Sequence, residues 1–299
     1  MTSEHLRSKL KESRMEKWAG FTARALRRWP IVPFAILFLV VFSAIFAPLL
    51  TPYDPTHGNL REIFVPPMWQ EGGSSSHPLG TDEVGRDVLA RIIYGGRVSL
   101  MVASAVLISG MTLGIAIGVV AGYFGGNFDE LIMRIVDFTL GIPFILVAVA
   151  VVVVYGSSVS LIISLLIIFS WGGFARQARA ITLSLKTMDY VAYARVAGAS
   201  VPRIMIRHIL PGIVNTMTVL ASLAIGGLIL TEATLSFLGV GVPKPNPSWG
   251  LMVSGGRAYI RDSWWLVMMP GMAITLVVFS VNFIGDWLRD RFDPRLRQL

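Results

Sequence analysis

Few residues in this sequence could take part in chemistry, and their spacing removes most of the options. The four histidines (His5, His57, His77 and His208) lie far apart and none stands in a His-Glu-x-x-His pair, so no helix face offers a zinc site. The absence of cysteine removes thiolate nucleophiles, thiolate metal ligands and disulfides. A membrane-embedded serine hydrolase would have to rely on His208 alone as its base. A phosphate-binding loop needs Gly-Lys ahead of Ser or Thr, and none of Lys9, Lys11, Lys17, Lys186 and Lys244 follows a glycine. The run Gly95–Ser99 is no substitute. The chain is therefore not itself an ATPase, and any ATP must be handled by another chain.

What remains is a small set of carboxylates within or beside apolar stretches, where charge is expensive and usually marks a transport or proton path. Glu232 lies deepest. It reads either as a pathway or gating group, or as a carboxylate hydrogen-bonded to the outer loop that follows it, as burial would require. Asp137, beside Arg134, and Asp286 stand nearer the ends of apolar runs. A pathway role for Asp137 competes there with ordinary interfacial capping.

The elements that must position these groups are apolar. The chain of 299 residues is 54% hydrophobic and only 15% charged, against about a quarter charged in a soluble domain. Five stretches carry no charge: Ile31–Leu50, Val98–Ala121, Phe138–Ala175, Ile209–Thr231 and Ser263–Gly285. Roughly 20 residues cross a bilayer core. Four runs are one crossing each, and the longest, with "YGSSVS" near its middle, is two crossings joined by a hairpin. The expected fold is an all-α membrane protein with six transmembrane helices. The first run is too long for a signal peptide's apolar core and has no small-x-small site after it, so it reads as an uncleaved span.

Of the 26 lysines and arginines, 19 fall on the N-terminal side of the membrane and 7 on the other. That bias places both termini in the cytoplasm, in a multi-pass protein of the inner or plasma membrane. The formal charge of +8 follows this placement and does not point to nucleic acid. The expected organisation is a cytoplasmic arm (1–30), a first span (31–50), an external loop with an amphipathic helix (51–96), a five-helix core (97–288) and a cytoplasmic tail (289–299). The core contains a cytoplasmic loop over 176–211.

Within that loop, "DYVAYARVAGASVPRIMIRHILP" (Asp189–Pro211) predicts two short amphipathic helices around a glycine turn. Asp189 is the expected N-cap, with Tyr190, Ala194 and Ala197 on one apolar face and Gly198 stopping the helix. Ser200 can cap the second helix, with Pro202 in its first turn and Val201, Met205 and Ile209 forming a stripe. Arg203 and Arg207 share another face, and Pro211 ends or kinks the helix. The pattern fits an interfacial loop whose arginines meet anionic head groups. It also fits a docking element for a cytoplasmic partner, and pattern alone does not separate the two.

On the outer side, Val84, Val88 and Ile92 could line a helix with Asp87 and Arg91 paired at i, i+4. Such a helix either plugs the external mouth or offers Asp82, Glu83, Arg86 and Asp87 to an external protein. Gly110, Gly114 and Gly118 predict a close helix contact. The segment "PKPNPSWG" (Pro243–Gly250) is too proline-rich to be helical. Ser263–Trp265 reads as an interfacial aromatic anchor.

The stretch "AYARVAGASVPRIMIRHILP" resembles the signature loop of integral-membrane permease subunits of bacterial and archaeal ABC importers. That motif runs Glu-Ala-Ala, three residues, Gly, nine residues, Ile, one residue, Leu-Pro. Aligned on Gly198, Leu210 and Pro211 fall in register and His208 takes the Ile position. Ala192, Tyr193 and Ala194 replace Glu-Ala-Ala, so the motif's glutamate and any salt bridge it makes are missing. "HPLGTDEVGRDVLARIIYGGRVSL" (His77–Leu100), "AGYFGG" (Ala121–Gly126), "RIVDFTLGIPFIL" (Arg134–Leu146), "EATLSFLGVGVPKPNPSWG" (Glu232–Gly250) and "GDWLRDRFDPR" (Gly285–Arg295) look like the second-permease type of the dipeptide, oligopeptide and nickel branch.

The resemblance implies a type I ABC importer permease fold and a heterodimer with a second homologous permease subunit. It also implies two cytoplasmic ATPase subunits holding ATP and Mg, with no cofactor in this chain, and an extracytoplasmic binding protein. The coupling loop would present Tyr193, Ala194, Arg195, Gly198 and Ala199 from its first half. Ser200, Arg203, Arg207, His208 and Pro211 would follow from its second. Di- or oligopeptides are the implied cargo; nickel or another small solute, or a proton-coupled transporter built on Glu232, are the alternatives.

Overall fold

The computed structural model describes residues 30–292. The arm (1–30) and the tail (289–299) expected from the sequence lie mostly outside them. Among the described residues the secondary structure is helical apart from one isolated bridge between Thr81 and Asp87. Helix α1 (Ile31–Ile45) is followed by a single turn, α2 (Ala47–Leu50), then by an irregular cap over 51–87. The bundle comprises α3 (Val88–Phe124), α4 (Gly126–Gly141), α5 (Phe144–Tyr155) and α6 (Val159–Leu185). Helices α7 (Asp189–Val196) and α8 (Val201–Ile204) form the polar loop, and α8 continues through a π turn (Met205–Ile209) into α9 (Leu210–Phe237). A short helix, α10 (Trp249–Gly256), precedes the last long helix, α11 (Trp265–Phe292).

Among the described residues four helices are long and apolar enough to cross a membrane: α3, α6, the continuous Val201–Phe237 and α11. The pair α4–α5, bent by 79°, makes a fifth if it crosses as one, and α1 is apolar but shorter.

Helix contact, rather than burial from water, holds such a bundle together, because lipid is as apolar as leucine. Among the described residues the α3–α6 seam is the most extensive helix contact, and it is close. Gly110, Gly114, Gly118 and Gly122 run down α3 at every fourth position. A Cβ on Gly114 or Gly118 would stand 2.5 Å or 2.3 Å from the carbonyl oxygens of Trp171 or Ala175. The spacing predicted this contact, which extends one glycine further than expected.

Several expected boundaries are corrected. Helix α3 begins at Val88, well upstream of Val98, and the amphipathic helix through Val84 does not form. Gly85 is in the left-handed region (φ 75°), and the Asp82 carboxylate accepts the Val84 and Arg86 amides at 3.0 and 2.9 Å, closing a tight turn. Asp87 then caps α3 by accepting the Ala90 amide at 2.6 Å, so it pairs with His77 rather than Arg91. Arg91 enters the helix because Asp82 and the Pro55 carbonyl compensate its charge.

The long run Phe138–Ala175 does turn at Gly156–Ser158, where Ser158 caps α6. Its first half, however, is a bent pair starting at Gly126. Pro143 forces Ile142 into an extended conformation (ψ 130°) and breaks the helix there. Met188, not Asp189, is the N-cap of α7. Pro211 does not end its helix. The π turn shifts the Leu210 amide onto the Met205 carbonyl, and the widened turn accommodates the proline's missing donor and its ring.

Candidate functional site

The polar loop is a built structure. At its centre Gly198 has φ 80° and closes α7 in a Schellman turn. The Ala199 amide donates to the Ala194 carbonyl and the Gly198 amide to the Arg195 carbonyl, both at 3.0 Å. The inner side of the loop is seated on the bundle. Val191, Ile204 and Ile209 are buried with Ile213, Met217, Phe174, Ala178 and Val119, and Ala199 and Met205 pack against them. The apolar face of α7 is therefore Val191, not Tyr190, Ala194 and Ala197. In the second helix Ile204 joins Ile209 as the buried pair, because the π turn brings residues five apart onto one face.

The outer side of the loop is left uncovered. Tyr193 is 73% and Val196 88% exposed, and Arg195, Gly198, Ser200, Arg203, Arg207 and Pro211 are exposed around them. Ala194 and His208 are half-buried. Ser200 takes the N-cap position of α8 through its backbone, its carbonyl accepting the Ile204 amide at 3.0 Å. The Tyr190 hydroxyl donates to the His208 carbonyl at 3.4 Å and links the two helices. The loop thus combines an apolar tip with a rim of arginines, the composition of a protein contact. Val196, its most exposed apolar side chain, was not singled out from the sequence, because helical periodicity alone does not say which face the bundle covers.

Clamps that the sequence did not signal fix the helix leading into this loop. Arg179 on α6 donates to both carboxylate oxygens of Asp129 on α4, at 2.5 and 2.6 Å. Lys186 donates to the Gly122 carbonyl on α3 at 2.8 Å. Asp137 accepts from Arg176 at 2.5 Å, with both side chains at least half exposed. These links join α6 to α3 and α4 immediately before α7.

At the opposite end, Glu232 is fully buried on α9. It accepts hydrogen bonds at 2.7 Å from the hydroxyl of Ser99 on α3 and from that of Ser236 one turn on. Ser236 also accepts the Val242 amide at 3.1 Å, so the carboxylate is tied to the loop that follows α9. Asp82 and Asp87 are likewise buried. Asp82 binds Arg86 at 2.7 Å, and Asp87 binds His77 at 2.9 Å. Glu83 is partly exposed and reaches Arg86 at 3.2 Å. This acidic and basic block holds the outer cap on α3. Among the described residues no group of three or more His, Asp or Glu could hold a metal ion.

Residues 114–298 match the family model described as the binding-protein-dependent transport system inner membrane component. The chain is 40% identical over 261 residues to the di/tripeptide transport system permease protein DppC of Pseudomonas aeruginosa, covering 87% of this chain and 86% of that protein. It is 36% identical over 271 residues to the dipeptide transport system permease protein DppC of Haemophilus influenzae, covering 91% and 92%. With the Escherichia coli protein of the same name it shares 42% over 268 residues, covering 90% and 89%.

Proposed function

The chain belongs to the inner membrane components of binding-protein-dependent transport systems, and from that premise we propose that it forms half of the pathway of an ATP-driven importer of short peptides. Proteins of this family are multi-pass transport components of the inner membrane and not enzymes. Peptide as cargo follows from the relatives, which are di/tripeptide and dipeptide transport permeases.

In this reading α1 with α2 and the bent pair α4–α5 are the remaining two spans, giving six with both termini cytoplasmic, as the 19-to-7 distribution of Lys and Arg supports. A second permease subunit completes the pathway. Two ATPase subunits hold ATP and Mg, and an external binding protein delivers the peptide, for which Glu83 and Arg86 on the outer cap are the more accessible contacts.

One observation carries the coupling assignment. The exposed tip at Tyr193 and Val196 stands on a loop whose second half is the start of an unbroken helix, Val201–Phe237. A partner that grips the tip moves a rod of 37 residues, roughly 55 Å long at 1.5 Å per residue. ATP binding would close the partner subunits, shift the loop around Gly198 and swing α9, so that the pathway opens outward. Hydrolysis would return it. The contacts made in the two states differ, as alternating access requires.

The test is uptake of a labelled tripeptide into proteoliposomes containing this chain, its partner permease, the ATPases and the binding protein. Uptake that needs ATP and every component is expected. Uptake by this chain alone under a pH gradient without ATP would overturn the reading in favour of a proton-coupled carrier using Glu232.

A further inference from the structure

We propose that the groove between α6 and α9 is this chain's subsite for the peptide in transit, with the Gln177 amide hydrogen-bonding the peptide's own backbone. The proposal rests on the importer reading above and names the residues that meet the cargo. The groove holds a cavity of about 390 Å³, walled by Ser170, Gly173 and Gln177 of α6 and by Gly227 and Leu228 of α9. Concave, mostly apolar clefts of roughly 300–1,000 Å³ with a few polar groups are the ordinary form of a small-ligand site. The cavity lies near the middle of both α6 (Val159–Leu185) and the continuous Val201–Phe237, the depth at which membrane transporters hold their cargo. Two glycines keep it open. Unlike the glycines of the α3–α6 seam, Gly173 and Gly227 would each carry a Cβ that meets nothing within 4 Å.

The lining carries no charge, and its hydrogen-bonding side chains are Ser170 and Gln177. The Ser170 hydroxyl already donates to the Ile167 carbonyl at 3.3 Å. The Gln177 side chain is exposed and has no hydrogen-bond partner among the described residues. Lipid chains offer such an amide neither donor nor acceptor. A peptide unit offers both, since amide and peptide each present an N–H and a carbonyl. Contact through the backbone leaves the cargo's side chains unread, which suits a carrier of mixed short peptides. Nickel, by contrast, calls for imidazole or carboxylate ligands, and the lining has neither.

The floor of the groove also belongs to the seat of the coupling loop. Phe174, Leu220 and Ala224 line the cavity and pack in the cluster that buries Val191, Ile204 and Ile209. A bound peptide and the loop around Gly198 therefore share one layer of side chains.

The test uses the assembled transporter in proteoliposomes. Gly227→Leu fills the groove without meeting the bundle, so tripeptide uptake should fall roughly tenfold or more, the scale of overpacking a fitted cavity. Gln177→Met, similar in shape but without the amide, should lower uptake roughly fivefold, as loss of one hydrogen bond does. Gly271→Leu on α11, where a Cβ also meets nothing within 4 Å, should transport at the parent rate. ATP hydrolysis stimulated by loaded binding protein should persist in all three. A tripeptide carrying a diazirine in its central side chain should label the segments 170–177 or 220–228 on illumination during ATP-driven uptake.

ATP-driven uptake at the parent rate in both Gly227→Leu and Gln177→Met overturns the groove and leaves the importer reading standing. Label confined to other segments or to the partner permease overturns it too. So does loss of the partner permease from the purified Gly227→Leu complex, which would make the groove a seat for that subunit, or a fall in stimulated ATP hydrolysis equal to the fall in uptake. Parent uptake that needs neither ATP nor the other chains overturns the importer reading itself. Should Gly227→Leu fail to assemble with any subunit, Gln177→Met and the photolabel carry the test.

Discussion

Replacing Gly198 with valine should uncouple the transporter without unfolding this chain. A Cβ at that position meets nothing within 4 Å, so the penalty is entirely in the backbone. The left-handed conformation, φ 80° here, costs an ordinary L-residue roughly 1–2 kcal/mol and a β-branched one more. Such a penalty is small beside the packing of the whole bundle, so membrane insertion and assembly persist. It is large for the local turn, since each 1.4 kcal/mol shifts a population about tenfold. The valine chain escapes by opening the two Schellman hydrogen bonds from Ala199 and Gly198. That swings Tyr193 and Val196 away from the axis of Val201–Phe237. The assay is ATP hydrolysis stimulated by loaded binding protein, read beside peptide uptake in the same proteoliposomes. Both should fall roughly tenfold or more with the protein at its normal level, and Gly198→Asn, which tolerates φ above zero, should retain most of each. Normal coupled uptake by the valine variant, or an asparagine variant as impaired as the valine one, would refute the reasoning.

Three further outcomes follow from packing and pairing. Arg179→Met should destabilise the bundle by about 1–3 kcal/mol, less than a deeply buried pair would lose, because Arg179 is partly exposed while Asp129 is not. Thermal unfolding in detergent measures it, and adding Asp129→Asn should recover part of the loss. Asp87→Ala should cost about 1 kcal/mol for the lost cap of α3 and more for the buried His77 left without its carboxylate, with increased proteolysis of the outer cap as the readout. Gly114→Leu should abolish folding, since a Cβ there already falls 2.5 Å from the Trp171 carbonyl oxygen; a variant at wild-type level in the membrane would contradict the α3–α6 seam.

Much of this architecture was legible because lipid imposes a simple rule. Uncharged stretches marked α3, α6, α9 and α11, and the cluster at Gly156–Ser158 marked the turn before α6. What the rule missed has identifiable causes. Arg91 hid the first turns of α3, because a charge neutralised by the distant Asp82 looks, in sequence, like a charge in water. Pro143 carried a break signal inside an apolar run, and hydropathy alone passed over it. The π turn before Pro211 cannot be read from residue types, since α and π turns use the same side chains.

In the loop, the spacing of Gly198 and Pro211 placed the turn, but which side faces the bundle depended on Val191 and Ile204 meeting Phe174 and Met217 from other helices. In sequence Glu232 reads either as a pathway group or as a hydrogen-bonded carboxylate, because its partner Ser99 lies 133 residues away. The structure does not explain why alanine stands at Ala192, an exposed position on α7.

In the proposed function another chain's ATPase grips the tip of this loop. With no native cysteine, a Val196→Cys substitution gives one reactive thiol at the most exposed apolar position of α7. A short bifunctional reagent applied to the assembled transporter should join that thiol to an ATPase subunit, with the yield changing between the ATP-free and ATP-trapped states. A cross-link only to the partner permease or to lipid, or none to the ATPase in either state, would contradict the account.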